Sequence, residues 1–386
     1  MSRVLTHVSL IGFATALAAR AVDPIIPQIA GDLAVAPEKV ALLSSAFALP
    51  FAIVQPILGP AADMFGKIRL MFVCLIVLLA ASLACAAANG FSLLLVARIV
   101  AGIATGGIFP VALAIAGDLV PVGERQVAIG RLLAVVITGN LLGASMAGVV
   151  GDTLGWRAVF LAVTGAGLLA LASALIGLRG VVVGKPIGFD LRSIVAGYRG
   201  IFANPRAKVC YGAVFADGIA VFGAFPFVAL LLLASGETRA SIAGLVLAGF
   251  SVGGVVYSLG VPILLGRWRP EHLMVGGGVL AGVALTIVSL GPSWPFQALA
   301  FVLLGIGFYT FHASVQVEAT ELSTTARGAA MSLHSLFFFL GQATGPVLYG
   351  IGFSSFGPGP SLVIGALTML ALGLVCAQLL KRPAEI

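Results

Sequence analysis

Two arginines and two aspartates lie well inside stretches otherwise apolar enough to cross a bilayer. Arg20 and Asp23 fall in the run 6–30, Arg98 in 91–117 and Asp217 in 207–233. A charge in hydrocarbon is costly, at least about 2.5 kcal/mol for Arg at a helix centre, so each needs a partner or a water-filled cavity. A carboxyl group that exchanges an Arg partner for a dry environment changes its hold on a proton. That is the chemistry needed to couple a proton to a conformational change. Asp23 and Arg98 each lie about seven residues from the expected outer end of their runs, which at 1.5 Å per residue puts both roughly 10 Å below one surface. Asp23 therefore has two candidate partners: Arg98 across helices, and Arg20 three residues away on the same helical face. A permanent ion pair that fixes packing is the competing reading. Asp217, near the middle of its run, is a second candidate for a proton or a cationic substrate, against a hydrogen-bonded packing role.

Other polar groups are sparse. His312 and His334 belong to the residue type that titrates near neutral pH. Gln28, Gln55, Asn140 and Gln342 are the obvious amides, and Phe222, Phe225, Phe308, Phe311, Phe337, Phe338 and Phe339 supply aromatic surface. From these, Gln28, Asn140, Phe222, Phe225, Phe308, His312, Phe338 and Gln342 are the candidate lining of a largely apolar substrate cavity. Polar lining for a sugar is scarce. The sequence holds no Walker loop, no HExxH, no GxSxG and no Cys/His cluster with metal spacing, so ATP-driven transport and most enzyme chemistries lack a site. No cofactor or metal is expected; a proton gradient would supply the energy.

The chain that positions these groups has 386 residues, 60% of them apolar and 9% charged. A soluble protein of this size cannot bury that much apolar surface. A spanning helix needs about 20 apolar residues, and twelve such runs follow one another: 6–30, 39–60, 68–88, 91–117, 126–150, 156–178, 207–233, 240–265, 272–290, 295–317, 328–351 and 360–380. Stretches such as Leu70–Leu79 are apolar on every face, unlike the alternating strands of a β-barrel. The expected fold is an all-α membrane protein of twelve transmembrane helices. Cys74, Cys85, Cys210 and Cys376 read as small apolar packers.

The net charge is +7. It is spread over many short loops without interleaved aromatics, which excludes a nucleic-acid partner and points to the bilayer. One set of loops carries 16 Lys and Arg and the opposite set 3, so both termini are expected on the cytoplasmic side. Arg3 and the apolar stretch after it resemble a signal peptide, but the run continues past Arg20 to Ala30 and reads as a span.

The longest polar stretch, 179–206, is expected to be a cytoplasmic linker with a short surface helix. It separates an N-terminal six-helix bundle (1–178) from a C-terminal one (207–386). At an offset of 202 residues, Arg125 matches Arg327, Gly139 matches Gly341, Asn140 matches Gln342, Gly143 matches Gly345 and Gly148 matches Gly350. Two pseudo-symmetric halves in parallel repeat are a transporter architecture, with the substrate path expected between them.

Three motifs resemble those of the major facilitator superfamily, over essentially the whole chain. After helix 2, Gly59-Pro-Ala-Ala-Asp63-Met-Phe-Gly66-Lys67-Ile-Arg69 resembles that family's loop motif, departing from it at Met64 and Ile68. The resemblance implies a cytoplasmic latch: Gly59 lets helices 2 and 11 touch, Asp63 accepts bonds from a helix N-terminus and basic side chains, and Gly66 makes the tight turn. Helix 4, Leu94-x-x-x-Arg98-x-x-x-Gly102-x-x-x-Gly106-Gly107-x-x-Pro110, resembles a second motif whose intramembrane Arg is linked to proton coupling. Helix 5, Gly139-Asn-Leu-Leu-Gly143-Ala144-Ser-Met-Ala147-Gly148, resembles the antiporter motif, with Ala144 in place of Pro and Ala147 in place of Gly. Asp118, Glu124, Glu318 and Glu321, with Arg125 and Arg327, suit gate salt bridges at the cytoplasmic helix ends.

The resemblance implies the drug/proton antiporter branch. The expected function is proton-coupled efflux of small, largely apolar compounds across a bacterial inner membrane by a monomer working through alternating access. The rival is a sugar or metabolite carrier, including a proton-coupled uptake symporter.

Overall fold

The computed structural model describes residues 3–120, 125–181, 198–323 and 327–381. Twelve helices among them are long and apolar enough to span a membrane. Helix 1 is built from Arg3–Arg20, a 3-10 turn Asp23–Ile25 and Ile26–Leu33. Helix 2 is Pro37–Phe65, helix 3 Lys67–Ala86, and helix 4 Phe91–Gly106 continued by Ile108–Leu119. Helix 5 is Arg125–Leu154 and helix 6 Trp156–Gly177. Helix 7 comprises Pro205–Asp217, a π-helical turn Gly218–Phe222, a 3-10 turn Phe225–Phe227 and Val228–Ala234. Helices 8 to 12 are Ala240–Arg267, Pro270–Ser289, Trp294–Thr320, Arg327–Phe356 and Pro358–Leu379.

Lipid offers no hydrogen-bond partner, so the backbone must satisfy itself within each helix. Proline occupies the first turn of helices 2, 7, 9, 10 and 12, where its missing N–H costs nothing. Helix 2 runs to Phe65, beyond the end expected at residue 60. The motif expected in a loop is therefore mostly helical, and one residue, Gly66, makes the whole turn at φ 93°. Glycine reaches that angle without Cβ strain. Gly59 and Asp63 sit in helix 2, and Arg125 and Arg327 at the starts of helices 5 and 11; their side-chain surroundings lie outside the described residues, as do Glu124 and most of the expected linker. Residues 198–203, at the end of that linker, are helical.

The chain divides into two compact units. One comprises Met1–Phe189 with Thr238–Ala248, the other Asp190–Glu237 with Gly249–Ile386. The first turns of helix 8 thus group with the first unit, which a division at residue 207 does not anticipate. In the first unit helix 1 packs on helices 5 and 6, helix 2 on helix 4, and helix 3 on helices 4 and 6. In the second, helix 7 packs on helix 11 and helix 9 on helices 10 and 12.

The offset of 202 extends to whole elements. Helices 5 and 11 have 30 residues each, and helices 6 and 12 have 22. The turns before helices 6 and 12 use Gly155 at φ 84° and Gly357 at φ 86°. The 3-10 turn Asp23–Ile25 corresponds to Phe225–Phe227, Pro24 to Pro226. Close contacts repeat as well: a Cβ on Gly139 would strike the carbonyl of Phe13, and one on Gly341 that of Phe215. Such glycine contacts let helix backbones approach where the hydrophobic effect does not drive helices together.

Candidate functional site

Each unit carries a buried aspartate at a break in its first helix. In the first unit, Pro24 and Pro27 have no N–H to continue the helical ladder, and the α-helix stops at Arg20. Asp23 opens the 3-10 turn that follows, 1% exposed. The Ser44 hydroxyl of helix 2 donates to its Oδ1 at 2.6 Å, and Arg20 Nη1 lies 3.7 Å from its Oδ2. Hydrogen bonds to an ionised carboxylate are stronger than neutral ones, so Ser44 is a substantial partner.

Arg98, 2% exposed, is engaged otherwise. Its Nη1 donates to the Ala18 carbonyl at 3.2 Å, its Nε approaches the Leu43 carbonyl at 3.4 Å, and its guanidinium carbon sits 4.4 Å from the centre of the Phe47 ring. Ala18 lies in the last turn before the break, where carbonyls lack an intrahelical donor. The break in helix 1 therefore creates both the niche for Asp23 and an acceptor for Arg98. Of the two expected partners, Arg20 forms the ion pair. The planar fork of Arg98 is held by backbone oxygens instead.

Asp217 ends the first α-helical segment of helix 7 and is fully buried. Its Oδ2 lies 2.9 Å from Nδ1 of His312 on helix 10. The His312 ring meets His334 of helix 11 edge-on at 4.9 Å, and also contacts Phe308 at 4.9 Å and Phe338 at 4.6 Å. Phe222 lies 4.8 Å from Phe225, 5.2 Å from Phe308 and 5.5 Å from Phe338. Five of the expected phenylalanines, Phe222, Phe225, Phe308, Phe338 and Phe339, thus form one cluster with His312 at its margin, whereas Phe337 stacks on Tyr211. Phe222, Phe225 and Phe308 are buried against one another, so His312 and Phe338 are its more open members.

The remaining expected residues are dispersed. Gln28 reaches Asp152 at 3.5 Å, Asn140 is half-buried in helix 5, and Gln342 is buried in helix 11. Gly139 and Gly143 press on helix 1, and Gly148 on the start of helix 8. Asp118 pairs with Lys67 at 2.6 Å, within the first unit, and Glu318 pairs with Arg206, within the second. The expected gate partners Arg125 and Arg327 have side chains outside the described residues; among those described, the bases at the starts of helices 3 and 7 hold the two acids. Arg69 is exposed.

Three residues escaped the sequence reading. Ser44 carries no signal beyond being a serine in an apolar run. Phe250, at 5.1–5.3 Å from Phe222, Phe225 and Phe308, sits centrally in the aromatic cluster. Asp152, an acid four residues beyond the helix 5 glycines, accepts the backbone N–H groups of Ala240 and Ser241, each at 2.8 Å. Its position just after that motif was a usable signal.

Twelve spanning helices, two halves alike element by element, and a buried acid in the broken first helix of each define a multi-pass membrane protein of carrier type. A family model described as Major Facilitator Superfamily matches residues 8–238 and 209–385; the chain belongs to that family and is a transporter, not an enzyme. It is 24% identical over 370 residues to multidrug resistance protein 1 of Bacillus subtilis, covering 95% of this chain and 93% of that one. It is 22% identical over 338 residues to quinolone resistance protein NorA of Staphylococcus aureus, covering 85% and 84%. Among solved structures, the nucleoside transporter NupG superposes with a TM-score of 0.78 at 14% identity over 98% of this chain and 100% of that one. A bacterial homologue of the lysosomal transporter Spinster gives 0.72 at 20% identity over 97% and 95%. These structures share the fold.

Proposed function

We propose that this transporter exports small, largely apolar compounds across a bacterial inner membrane in exchange for protons, acting as a monomer by alternating access with both termini in the cytoplasm. The observation that carries the coupling is the Asp23 carboxyl: buried, set in a helix break, and held by Ser44 and Arg20 rather than locked onto Arg98. Such a group can exchange partners when the broken helix moves, and its protonation follows its partners. The drug-resistance relatives support efflux of apolar compounds, and the scarcity of polar lining argues against a sugar. The 16-to-3 bias of Lys and Arg supports the orientation. No cofactor is needed beyond the proton gradient.

The test is reconstitution in liposomes with an imposed pH gradient, using ethidium as a lipophilic cation alongside a panel of sugars and amino acids. Ethidium should move against the proton flux, and Asp23→Asn should abolish gradient-driven movement while retaining ethidium–ethidium counterflow. Gradient-driven movement that survives in Asp23→Asn removes Asp23 from the mechanism. Movement of sugars alone, together with the proton, makes the protein an uptake symporter.

A further inference from the structure

We propose that Asp217 and His312 form a second proton-loading site, contained within the second unit and independent of the Asp23 pair, which holds one proton at a time. The inference rests on the proton-exchange reading above and deepens it by adding a site.

The pair is buried and polar in apolar surroundings. The Asp217 Oδ2 to His312 Nδ1 distance of 2.9 Å is a hydrogen bond, so at least one proton lies between them. Among the described residues no Lys or Arg forms an ion pair with Asp217. With one shared proton the pair carries a net charge of −1 in a dry site. One further proton brings it to zero, whether written as carboxylic acid with imidazole or as carboxylate with imidazolium; the two forms are one charge state of a coupled pair. The His312 side chain is 13% exposed and leaves an approach to the buried carboxylate.

His334 limits the load to one. It is 1% exposed, its ring meets His312 at 4.9 Å, and its Nε2 has no hydrogen-bond partner among the described residues. Two adjacent imidazolium rings would repel each other in a medium that screens little. Cys376 on helix 12 is the other titratable group near Asp217, and Cys210 on helix 7 neighbours Cys376. Glu318, further along helix 10, is bound to Arg206.

The backbone sets the site apart. Asp217 is followed at once by the π-helical turn Gly218–Phe222, a feature that occurs mostly as single turns, frequently at functional sites. The site is also no copy of the first: at the offset of 202, Asp23 corresponds to Phe225 and Asp217 to Thr15. Asp217 lies eight residues earlier in its helix than the Asp23 equivalent, about 12 Å along the axis.

The chain has four histidines, so histidine-selective isotope labelling of the full chain in lipid nanodiscs gives a resolvable NMR titration. His312→Gln and His334→Gln assign the signals. The His312 signal is expected to titrate, and Asp217→Asn to move its midpoint by at least one pH unit, a tenfold change in proton affinity. Asp217→Glu should keep the titration, with circular dichroism and monodisperse elution reporting that each variant is folded. A His312 signal that never titrates, or one whose midpoint is the same in folded Asp217→Asn protein as in the parent, overturns the proposal and leaves a fixed structural pair. The readout needs no transport. A failed ethidium assay beside an intact His312 titration would remove the exchange reading and keep this site, and the reverse would remove this site alone.

Discussion

The guanidinium of Arg98 donates to the carbonyl of Ala18 at 3.2 Å, so the intramembrane arginine of helix 4 is anchored on the broken end of helix 1 rather than on the aspartate beyond it. The break in helix 1 exposes a carbonyl, the carbonyl holds the cation, and Asp23 is left with a serine and a neighbouring arginine as its direct partners.

Arg98→Lys keeps the charge but loses the planar fork that reaches two carbonyls and stacks on Phe47. Losing one hydrogen bond to a charged group costs about 1.5–3 kcal/mol. The thermal unfolding midpoint in detergent should fall by several degrees. A midpoint equal to that of the parent would show that the carbonyl contacts do not hold the helices.

Ser44→Ala removes the hydroxyl that donates to Asp23. Gradient-driven ethidium movement should fall by roughly tenfold, the equivalent of about 1.4 kcal/mol, while counterflow stays within twofold. Ser44→Thr, which keeps a hydroxyl, should restore most of the rate. Equal loss in both assays would point to general damage to transport and not to coupling.

A Cβ on Gly143 would lie 2.6 Å from the Leu17 carbonyl, whereas one on Gly165 meets nothing within 4 Å. Gly143→Val should destabilise the helix 1–helix 5 contact by about 1–3 kcal/mol and lower the yield of monodisperse protein. Gly165→Ala should be neutral, or stabilising by roughly 0.5–1 kcal/mol. Equal unfolding midpoints for the two variants would contradict the packing described for helices 1 and 5.

Asp152 closes the N-terminus of helix 8 by accepting the N–H groups of Ala240 and Ser241 at 2.8 Å each, a favourable place for a carboxylate. Asp152→Ala should cost about 1 kcal/mol of that contact and raise the labelling rate of Ser241→Cys by a membrane-impermeant maleimide several-fold. An unchanged labelling rate would mean that the glycine contacts of helix 5, and not the carboxylate, hold helix 8 there.

The spans, the turn at Gly66 and the tandem repeat were legible because each is a local property. Run length against bilayer thickness decides what crosses, a turn at φ above zero suits glycine at residue 66, and an offset of 202 is visible in the letters themselves. The exact helix ends were less legible: helix 2 passes through its motif to Phe65 in spite of Pro60, and turns only at Gly66.

The partners of the buried charges were decided only by the tertiary structure. Counting residues from a helix end gives depth, and it placed Asp23 and Arg98 at similar levels. It gives neither the rotation of each helix about its axis nor the point where the helix breaks. Those two quantities turn Arg98 toward Ala18, bring Ser44 to Asp23 and set His312 beside Asp217 across 95 residues of chain. A hydrogen bond forms within a few tenths of an ångström and a limited angle, so only the packed bundle, in which every helix is already rotated into place, selects one partner among several at the same depth.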